Sequence, residues 1–418
     1  EVGGVVRINS LSQRVASTAH LYYHAQILAQ KAIARELIAM AAKVEEQAYD
    51  EGQDVEDLMQ NAEQQIFEIS QHSQKRDVTQ IDPVIKEAFD RMHKASKNEG
   101  NISGVPSGFK DLDKVTSGWQ KSDLVIIAAR PAMGKTAFVL SMAKNIAVNA
   151  QRPVAMFSLE MSNVQLVNRL IMNVCEIEGD KIKNGKLSKQ EWSQLEHKIV
   201  ELKGAPIYVD DTPSLSVFEL RSKARKLVRE KKVELIIIDY LQLMNASGLN
   251  FNSREQEVSI ISRSLKALAK ELDIPIIALS QLNRGVESRT GVDGKKPQLS
   301  DLRESGAIEQ DADMVCFIHR PEYYHLYNDE SGKDLRGLGE IIVAKHRNGA
   351  TAEVWLRFRS KFAKFMNQDE AMDDDMDMPT YSAPAGDAGA PTAISLGSKM
   401  NDMSPDGAQL NNESDVPF

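Results

Sequence analysis

Cysteine is nearly absent. The 418 residues hold two, Cys175 and Cys316, and neither belongs to a CxxC pair, which argues against a thiolate zinc site. Cys316 lies inside the apolar run Met314-Val315-Cys316-Phe317-Ile318 and reads as a core residue. Nothing demands an oxidising compartment, so the cytoplasm is the expected one. Aromatic residues make up only 6% of the chain, too few for rows of stacking rings. No apolar run approaches the ~20 residues of a membrane-spanning helix, and the first residues lack the pattern of a signal peptide; no membrane is expected as a partner. The first residue is Glu1, so the sequence is expected to start inside a longer or processed chain. Basic charge is also short: the net charge is −9. Residues 369–418, however, carry eleven acidic side chains against the single Lys399, leaving residues 1–368 at +1. A near-neutral body can carry local basic surfaces, so the acidic total does not exclude a polyanionic partner.

The chain divides into four parts. Residues 1–75 read as helical. Ile27, Ile33, Leu37, Met40 and Val44 recur at helical spacing, Asp50-Glu51-Gly52-Gln53-Asp54 forms a turn, and Val55, Leu58, Ala62, Ile66 and Ile69 mark a second helix. Two helices across a short turn make an antiparallel hairpin, and its thin core calls for a partner or further sequence. Residues 76–100 form a linker, in which Pro83 suits a first helical position and 84–92 form an amphipathic helix. Spacing alone does not decide whether that helix packs within the subunit or docks on a neighbour. Residues 101–368 alternate short apolar runs with helical stretches: 124–129, 154–159, 235–238, 274–279 and 314–318. That pattern predicts an α/β domain with a parallel sheet covered on both faces. Several runs end in a polar residue, Glu160, Asp239, Gln281 or His319, where open α/β sheets bind ligands. Residues 369–418, rich in Asp, Met, Pro, Ala, Gly and Ser, are expected to remain disordered.

The first apolar run leads into Ala129-Arg130-Pro131-Ala132-Met133-Gly134-Lys135-Thr136 and then a helical stretch. This is a phosphate-binding loop in its strand–loop–helix context, with Ala129 where the first Gly usually stands. Backbone N–H groups and the helix N-terminus would cradle the phosphates of ATP. Lys135 would reach the β- and γ-phosphates, and the Thr136 hydroxyl would ligate Mg²⁺. Gly134 allows close backbone approach. Asp239, ending the run Leu235-Ile236-Ile237-Ile238, can hold the same Mg²⁺ through water; otherwise it would be a strand-end cap. Glu160 is a candidate base for the attacking water. Gln281 could sense the γ-phosphate, the plainer alternative being a solvated strand end.

Several stretches together resemble the bacterial replicative DNA helicases of the DnaB type. They are Ala128 to Thr136, Phe157-Ser158-Leu159-Glu160-Met161-Ser162, Ile236 to Met244, Leu279-Ser280-Gln281-Leu282-Asn283-Arg284, Ser300-Asp301-Leu302-Arg303-Glu304-Ser305-Gly306 and Ala344-Lys345-His346-Arg347-Asn348-Gly349. The family's loop carries the same Ala, so the departure at Ala129 favours the match. The resemblance extends from residue 1 to about 365. It implies a RecA-like P-loop motor, a homohexameric ring, and ATP-driven 5′ to 3′ movement on single-stranded and forked DNA. Primase, a helicase loader and other replisome proteins are the implied partners. Residues 1–75 resemble the later part of a helical N-terminal domain, and 83–95 a linker helix.

The resemblance also assigns residues. Lys345 and Arg347 lie two apart in a strand-like stretch and so share a face; Arg347 would serve a neighbour's γ-phosphate as an arginine finger. By spacing alone the pair reads as a solvated basic strand end. Arg303, Glu304 and Gly306 are placed on the DNA backbone, where Arg supplies charge and a Gly N–H can approach a phosphate closely. The loop between Met244 and Arg254 is expected to face the same channel, with Ser253 and Gln256 as a capping box. With few aromatics, DNA binding should be electrostatic and strongly salt-dependent. The final Glu413-Ser414-Asp415-Val416-Pro417-Phe418 resembles the acidic tip of bacterial single-strand-binding proteins, although an ordinary disordered chain end is the favoured reading. A RecA-type recombination or repair ATPase and an ATP-switched scaffold are the competing functions.

Overall fold

A computed structural model describes residues 4–12, 21–50, 52, 54, 55, 58, 59, 61, 62, 65, 66, 69, 80–97, 102–245, 253–289, 293–302, 306–329 and 331–371. Its helices are α1 (Gly4–Ser12), α2 (Leu21–Ala48), α3 (Ile81–Lys97), α4 (Lys110–Thr116), α5 (Lys135–Lys144), α6 (Asn163–Cys175), α7 (Gly179–Asn184), α8 (Lys189–Leu202), α9 (Val217–Lys231), α10 (Arg254–Leu272), α11 (Gly285–Ser288) and α12 (Gly306–Asp311). Its strands are β1 (Leu124–Ala129), β2 (Val154–Ser158), β3 (Ile207–Asp210), β4 (Leu235–Asp239), β5 (Ile276–Gln281), β6 (Met314–His319), β7 (Leu338–His346), β8 (Ala352–Arg359) and β9 (Lys364–Met366).

The strands form one sheet in the order β3-β2-β4-β5-β1-β6-β7-β8-β9. The first six in that order run parallel. The last three add an antiparallel extension at one edge, which the apolar runs alone did not foreshadow. Each parallel strand in the middle is continuously apolar because both faces are covered. Along β1, Val125, Ile127 and Ala129 enter the core layer containing Phe138, Leu140 and Leu166 of α5 and α6. Leu124, Ile126 and Ala128 enter the opposite layer, with Leu220 and Ala224 of α9 and Val258, Ile261 and Leu265 of α10. The period-two alternation of a strand thus builds two cores from one run.

Polar caps set where the covering helices start. Ser162 and Gln165 form a reciprocal capping box on α6, as do Ser188 and Glu191 on α8. Ser253 caps α10 by accepting from the Gln256 N–H at 3.4 Å. Register brings Ala129 beside Gln281 and Ser158 beside Asp239. The carboxyl ends of β1 and β5 are therefore level, and those of β2 and β4 stop together about two residues short of them, all at the same end of the sheet.

Ahead of the sheet, α2 half-buries Ile27, Ile33, Met40 and Val44 and leaves Leu37 exposed, as a helix with half a core would. The described residues between 55 and 69 are helical. The linker helix α3 begins at Ile81, two residues before the expected start at Pro83; Pro83 sits in the first turn, where backbone N–H groups lack helical partners in any case. Along α3, Ile81 is 67% exposed, Phe89 61% and Met92 64%, so these apolar side chains are largely uncovered among the described residues. Among the described residues, no helix is long and apolar enough to cross a membrane.

Candidate active site

A cavity of about 530 Å³ opens at these strand ends, lined by the phosphate loop, Glu160, Arg169, Tyr240, Gln281 and Phe358. The loop leaves β1 and turns through Ala132 (φ 64°) and Gly134 (φ 94°) before α5 begins at Lys135. Gly134 is constrained twice: its backbone is left-handed, and a Cβ would come 3.2 Å from the Phe365 ring. Ala129 and Met133 bury their side chains in the core, so what they can offer a ligand is backbone. Pro131 and Ala132 line the cavity. Arg130 does not aim its side chain at the cavity: Nε and Nη2 donate to Glu287 Oε1 at 2.9 and 2.7 Å, and Nη1 donates to the Leu282 carbonyl at 2.9 Å.

Lys135 Nζ donates to the Ser280 carbonyl at 3.3 Å and lies 5.0 Å from the Tyr240 ring centroid. Burial pulls its pKa below the usual lysine range, opposed by the Asp239 and Glu160 carboxylates and reinforced by Arg130. An arriving polyphosphate would add the counter-charge that favours the ammonium form. Thr136 Oγ1 donates to Asp239 Oδ2 at 2.9 Å. Burial pushes the Asp239 carboxyl up, partly offset by the Thr136 hydrogen bond and Lys135.

A hydroxyl and a buried carboxylate in contact are hard oxygen donors, as magnesium requires. Among the described residues no cluster of three or more His, Cys, Asp or Glu could hold a metal alone. The pair therefore fits an ion shared with a nucleotide's phosphates, the usual habit of Mg²⁺.

Glu160 is exposed and stands in a turn fixed by Ser158, whose hydroxyl donates to the Met161 carbonyl at 2.7 Å and accepts from the Met161 N–H at 3.1 Å. Gln281 closes β5. Its N–H donates to Gln242 Oε1 at 3.4 Å, and the Gln242 amide donates to Ser280 Oγ at 2.8 Å. Lys135, Thr136, Glu160, Asp239 and Gln281, singled out from sequence, thus converge on one cavity or its wall.

Lys345 and Arg347 do not. Met314 pairs with His346 and with Val125, which puts both basic residues at the amino end of β1. They lie roughly 15 Å of strand away from their own phosphate loop. There Lys345 Nζ donates to the Glu309 carbonyl, and Arg347 donates to the Gln310 carbonyl and lies 3.4 Å from Asp313. Both basic groups grip the carbonyl end of α12, on one side as expected. Burial lowers the Lys345 pKa, as does Arg347, while Glu309 and Asp313 oppose the shift.

Arg303, Glu304, most of the 244–254 loop and the acidic tail lie outside the described residues. Gly306 opens α12, and a Cβ there would meet open space; any need for glycine comes from what approaches from outside.

A further cavity residue, Arg169 on α6, and Arg320 beside the wall carried no local sequence signal. Arg320 stacks 4.0 Å over the Phe358 ring and donates to the Ala132 carbonyl at 3.4 Å. His319, expected among the polar strand ends at the ligand, is 1% exposed and stacks on Tyr324 instead. Its strand position pairs with Glu340 of β7, so the antiparallel extension covers it.

The sequence profile of the "DnaB-like helicase C terminal domain" matches residues 104–367. The chain is 42% identical over 374 residues to the replicative DNA helicase DnaB of Geobacillus stearothermophilus, covering 90% of this chain and 81% of that protein. It is 41% identical to the replicative DNA helicase DnaC of Bacillus subtilis over the same shares. Among solved structures, a DnaB-like replicative helicase described with its interactions with primase is 35% identical, with a TM-score of 0.68, covering 87% of this chain and 83% of that one. With its phosphate loop, paired threonine and aspartate, and a profile match spanning the whole sheet, the chain belongs to the DnaB-like replicative DNA helicase family.

Proposed function

We propose that this chain is one subunit of a replicative DNA helicase, a homohexameric ring that hydrolyses ATP to move 5′ to 3′ along single-stranded DNA and open the duplex at the fork. The reading is supported by one arrangement: Lys135, Thr136, Glu160, Asp239 and Gln281 converge at one end of the sheet, while Lys345 and Arg347 lie at the other.

In this reading the N–H groups of the loop and the start of α5 receive the phosphates. Lys135 follows the β- and γ-phosphate oxygens. Thr136 and Asp239 would hold a Mg²⁺ ion, which when bound would supply positive charge to those oxygens. Glu160 orients and polarises the attacking water. Gln281, steadied by Gln242, reports whether the γ-phosphate is present. Lys345 and Arg347 of the adjacent subunit stabilise the charge that develops on transfer. Hydrolysis then depends on how two subunits meet, which makes it a means of moving one against the other.

Arg303, Glu304 and Gly306 would hold the DNA backbone in the channel. The apolar side chains of α3 support docking on a neighbouring subunit, since Phe89 and Met92 are mostly exposed among the described residues. The relative described with primase supports primase as a partner; a helicase loader and other replisome proteins complete the expected set, in the cytoplasm. Forked-duplex unwinding measured beside DNA-stimulated ATPase is the test, with ring assembly checked by electron microscopy. Unwinding that starts from a 5′ tail and requires hydrolysis is expected. Hydrolysis by assembled rings without unwinding would overturn the reading and favour a strand-pairing ATPase, and binding without turnover would favour a scaffold.

A further inference from the structure

Asp313 stands just ahead of β6, at the amino end of the parallel strands, and is buried. Its backbone is tied on both sides: its N–H donates to the Leu124 carbonyl, and its carbonyl accepts from the Arg347 N–H, each at 2.9 Å. The two oxygens of its carboxylate have different partners. Oδ2 accepts from the Leu124 N–H at 2.8 Å and from Lys266 Nζ of α10. Oδ1 is turned to Arg347, whose Nη1 donates to it at 3.4 Å. The other terminal nitrogen of Arg347 donates to the Gln310 carbonyl. A carboxylate and a carbonyl thus hold the two prongs of the guanidinium fork. A planar group held at both prongs has its direction fixed as well as its position.

The two cations at Asp313 are not alike. The Lys266 side chain is 15% exposed and also donates to the Ser122 carbonyl at 2.7 Å, whereas that of Arg347 is 47% exposed. A buried carboxylate left without a counter-charge is costly. Lys266 supplies that charge wherever Arg347 points, so the guanidinium can turn towards an outside anion without stranding Asp313. Asp123, buried in the same corner, adds a second carboxylate that Lys266 and Arg347 both offset. The fixed part of the cluster is therefore the pair of Asp313 and Lys266, and the movable part is Arg347.

We propose that Asp313, neutralised by Lys266, is a positioning residue that aims Arg347 at the nucleotide held by the adjacent subunit. The proposal rests on the reading of Arg347 as a finger acting across the subunit contact. Asp313 touches no ligand in this scheme and acts only through the guanidinium. Its loss should lower turnover without changing how ATP binds, and the defect should belong to the subunit that lends the finger.

The experiment measures steady-state ATPase of assembled rings for Asp313→Asn and for a double variant, Asp313→Asn with Lys266→Met. Each is assayed alone and mixed with Lys135→Ala or with Arg347→Ala subunits. The double variant removes both buried charges together, so its fold does not depend on an unpaired ion. Either variant alone should show kcat lowered by about 10- to 100-fold, the scale of a misplaced group, with the KM for ATP within about 2-fold of native. Mixed with Lys135→Ala, each should recover ATPase, because its own loop is intact and the other subunit brings a sound finger. Mixed with Arg347→Ala, neither should rise above its level alone, because no subunit then aims a finger correctly. Recovery with Arg347→Ala, or native turnover in both variants, overturns the proposal. Failure of both variants to recover with Lys135→Ala also overturns it and leaves the pair a part of the general fold. The mixture of Arg347→Ala with Lys135→Ala is the reference. If that mixture stays inactive, the shared-site reading falls and the positioning role falls with it. If it recovers while the Asp313 variants depart from these outcomes, the positioning role alone falls.

Discussion

Thr136 Oγ1 donates a 2.9 Å hydrogen bond to Asp239 Oδ2, joining the first turn of α5 to the end of β4 across 103 residues of sequence. Removing the hydroxyl takes away a hard ligand and the partner that holds the carboxylate in place. Thr136→Ala should raise the Mg²⁺ concentration for half-maximal ATPase by about 10- to 100-fold, as loss of a ligand or its support typically does. A magnesium titration at saturating ATP is the measurement. An unchanged midpoint would mean that the pair is only a structural clamp.

Arg347 faces away from its own cavity, so its effect should be visible only between subunits. Arg347→Ala should lower turnover by about 10³-fold or more, with nucleotide affinity nearly unchanged. Mixing Arg347→Ala subunits with Lys135→Ala subunits should restore measurable ATPase, because one variant keeps the loop and the other keeps the finger. Mixed rings as inactive as either parent would exclude a shared site.

Gly134 combines a left-handed backbone with the Phe365 ring at its back. Gly134→Ala should cost about 1–3 kcal/mol of stability, read from urea unfolding at neutral pH. It should also weaken nucleotide binding, since relief of the strain shifts the N–H groups of the loop.

His319 is a buried neutral imidazole whose pKa is pulled down to about 4, first by burial and then by Lys296. The folded value lies below the unfolded value near 6.5. The stability linked to it is therefore complete above about pH 6.5 and is lost as pH falls towards 4. Unfolding free energy should drop by about 3 kcal/mol across that window from this group. His319→Gln should show a flatter profile between pH 7 and pH 5. An identical slope in the two proteins would show that other groups govern acid sensitivity.

How far the sequence reveals the molecule depends on the range of the signals. The run Leu124–Ala129 and the loop after it were legible because a fully buried strand and a phosphate loop are both written in consecutive residues. β3 escaped because Ile207-Tyr208-Val209-Asp210 is short and only half-buried at the sheet's edge. β8 escaped because one face is solvated, so alternate residues are polar. His319 misled because a polar strand end looks the same whether a ligand or another strand lies beside it. The partner of Arg130 stands 157 residues away, and no local spacing announces such a pair. Arg169 reaches the cavity, and Arg320 the Ala132 and Phe358 of its wall, through tertiary packing in the same way.

The grip of Lys345 and Arg347 on the carbonyl end of α12 has a consequence for symmetry. A subunit that, as proposed, receives nucleotide at one end of its strands and lends its basic pair from the other is polar. Two such subunits facing each other across a twofold axis would offer loop to loop or finger to finger, completing neither site. Only a heterologous, head-to-tail contact unites them, and such contacts close into cyclic rings when the rotation allows and run on as open helices when it does not. Ring size is then set by the angle between these two ends, and a change of nucleotide that alters the angle would turn a flat closed circle into a spiral with a gap.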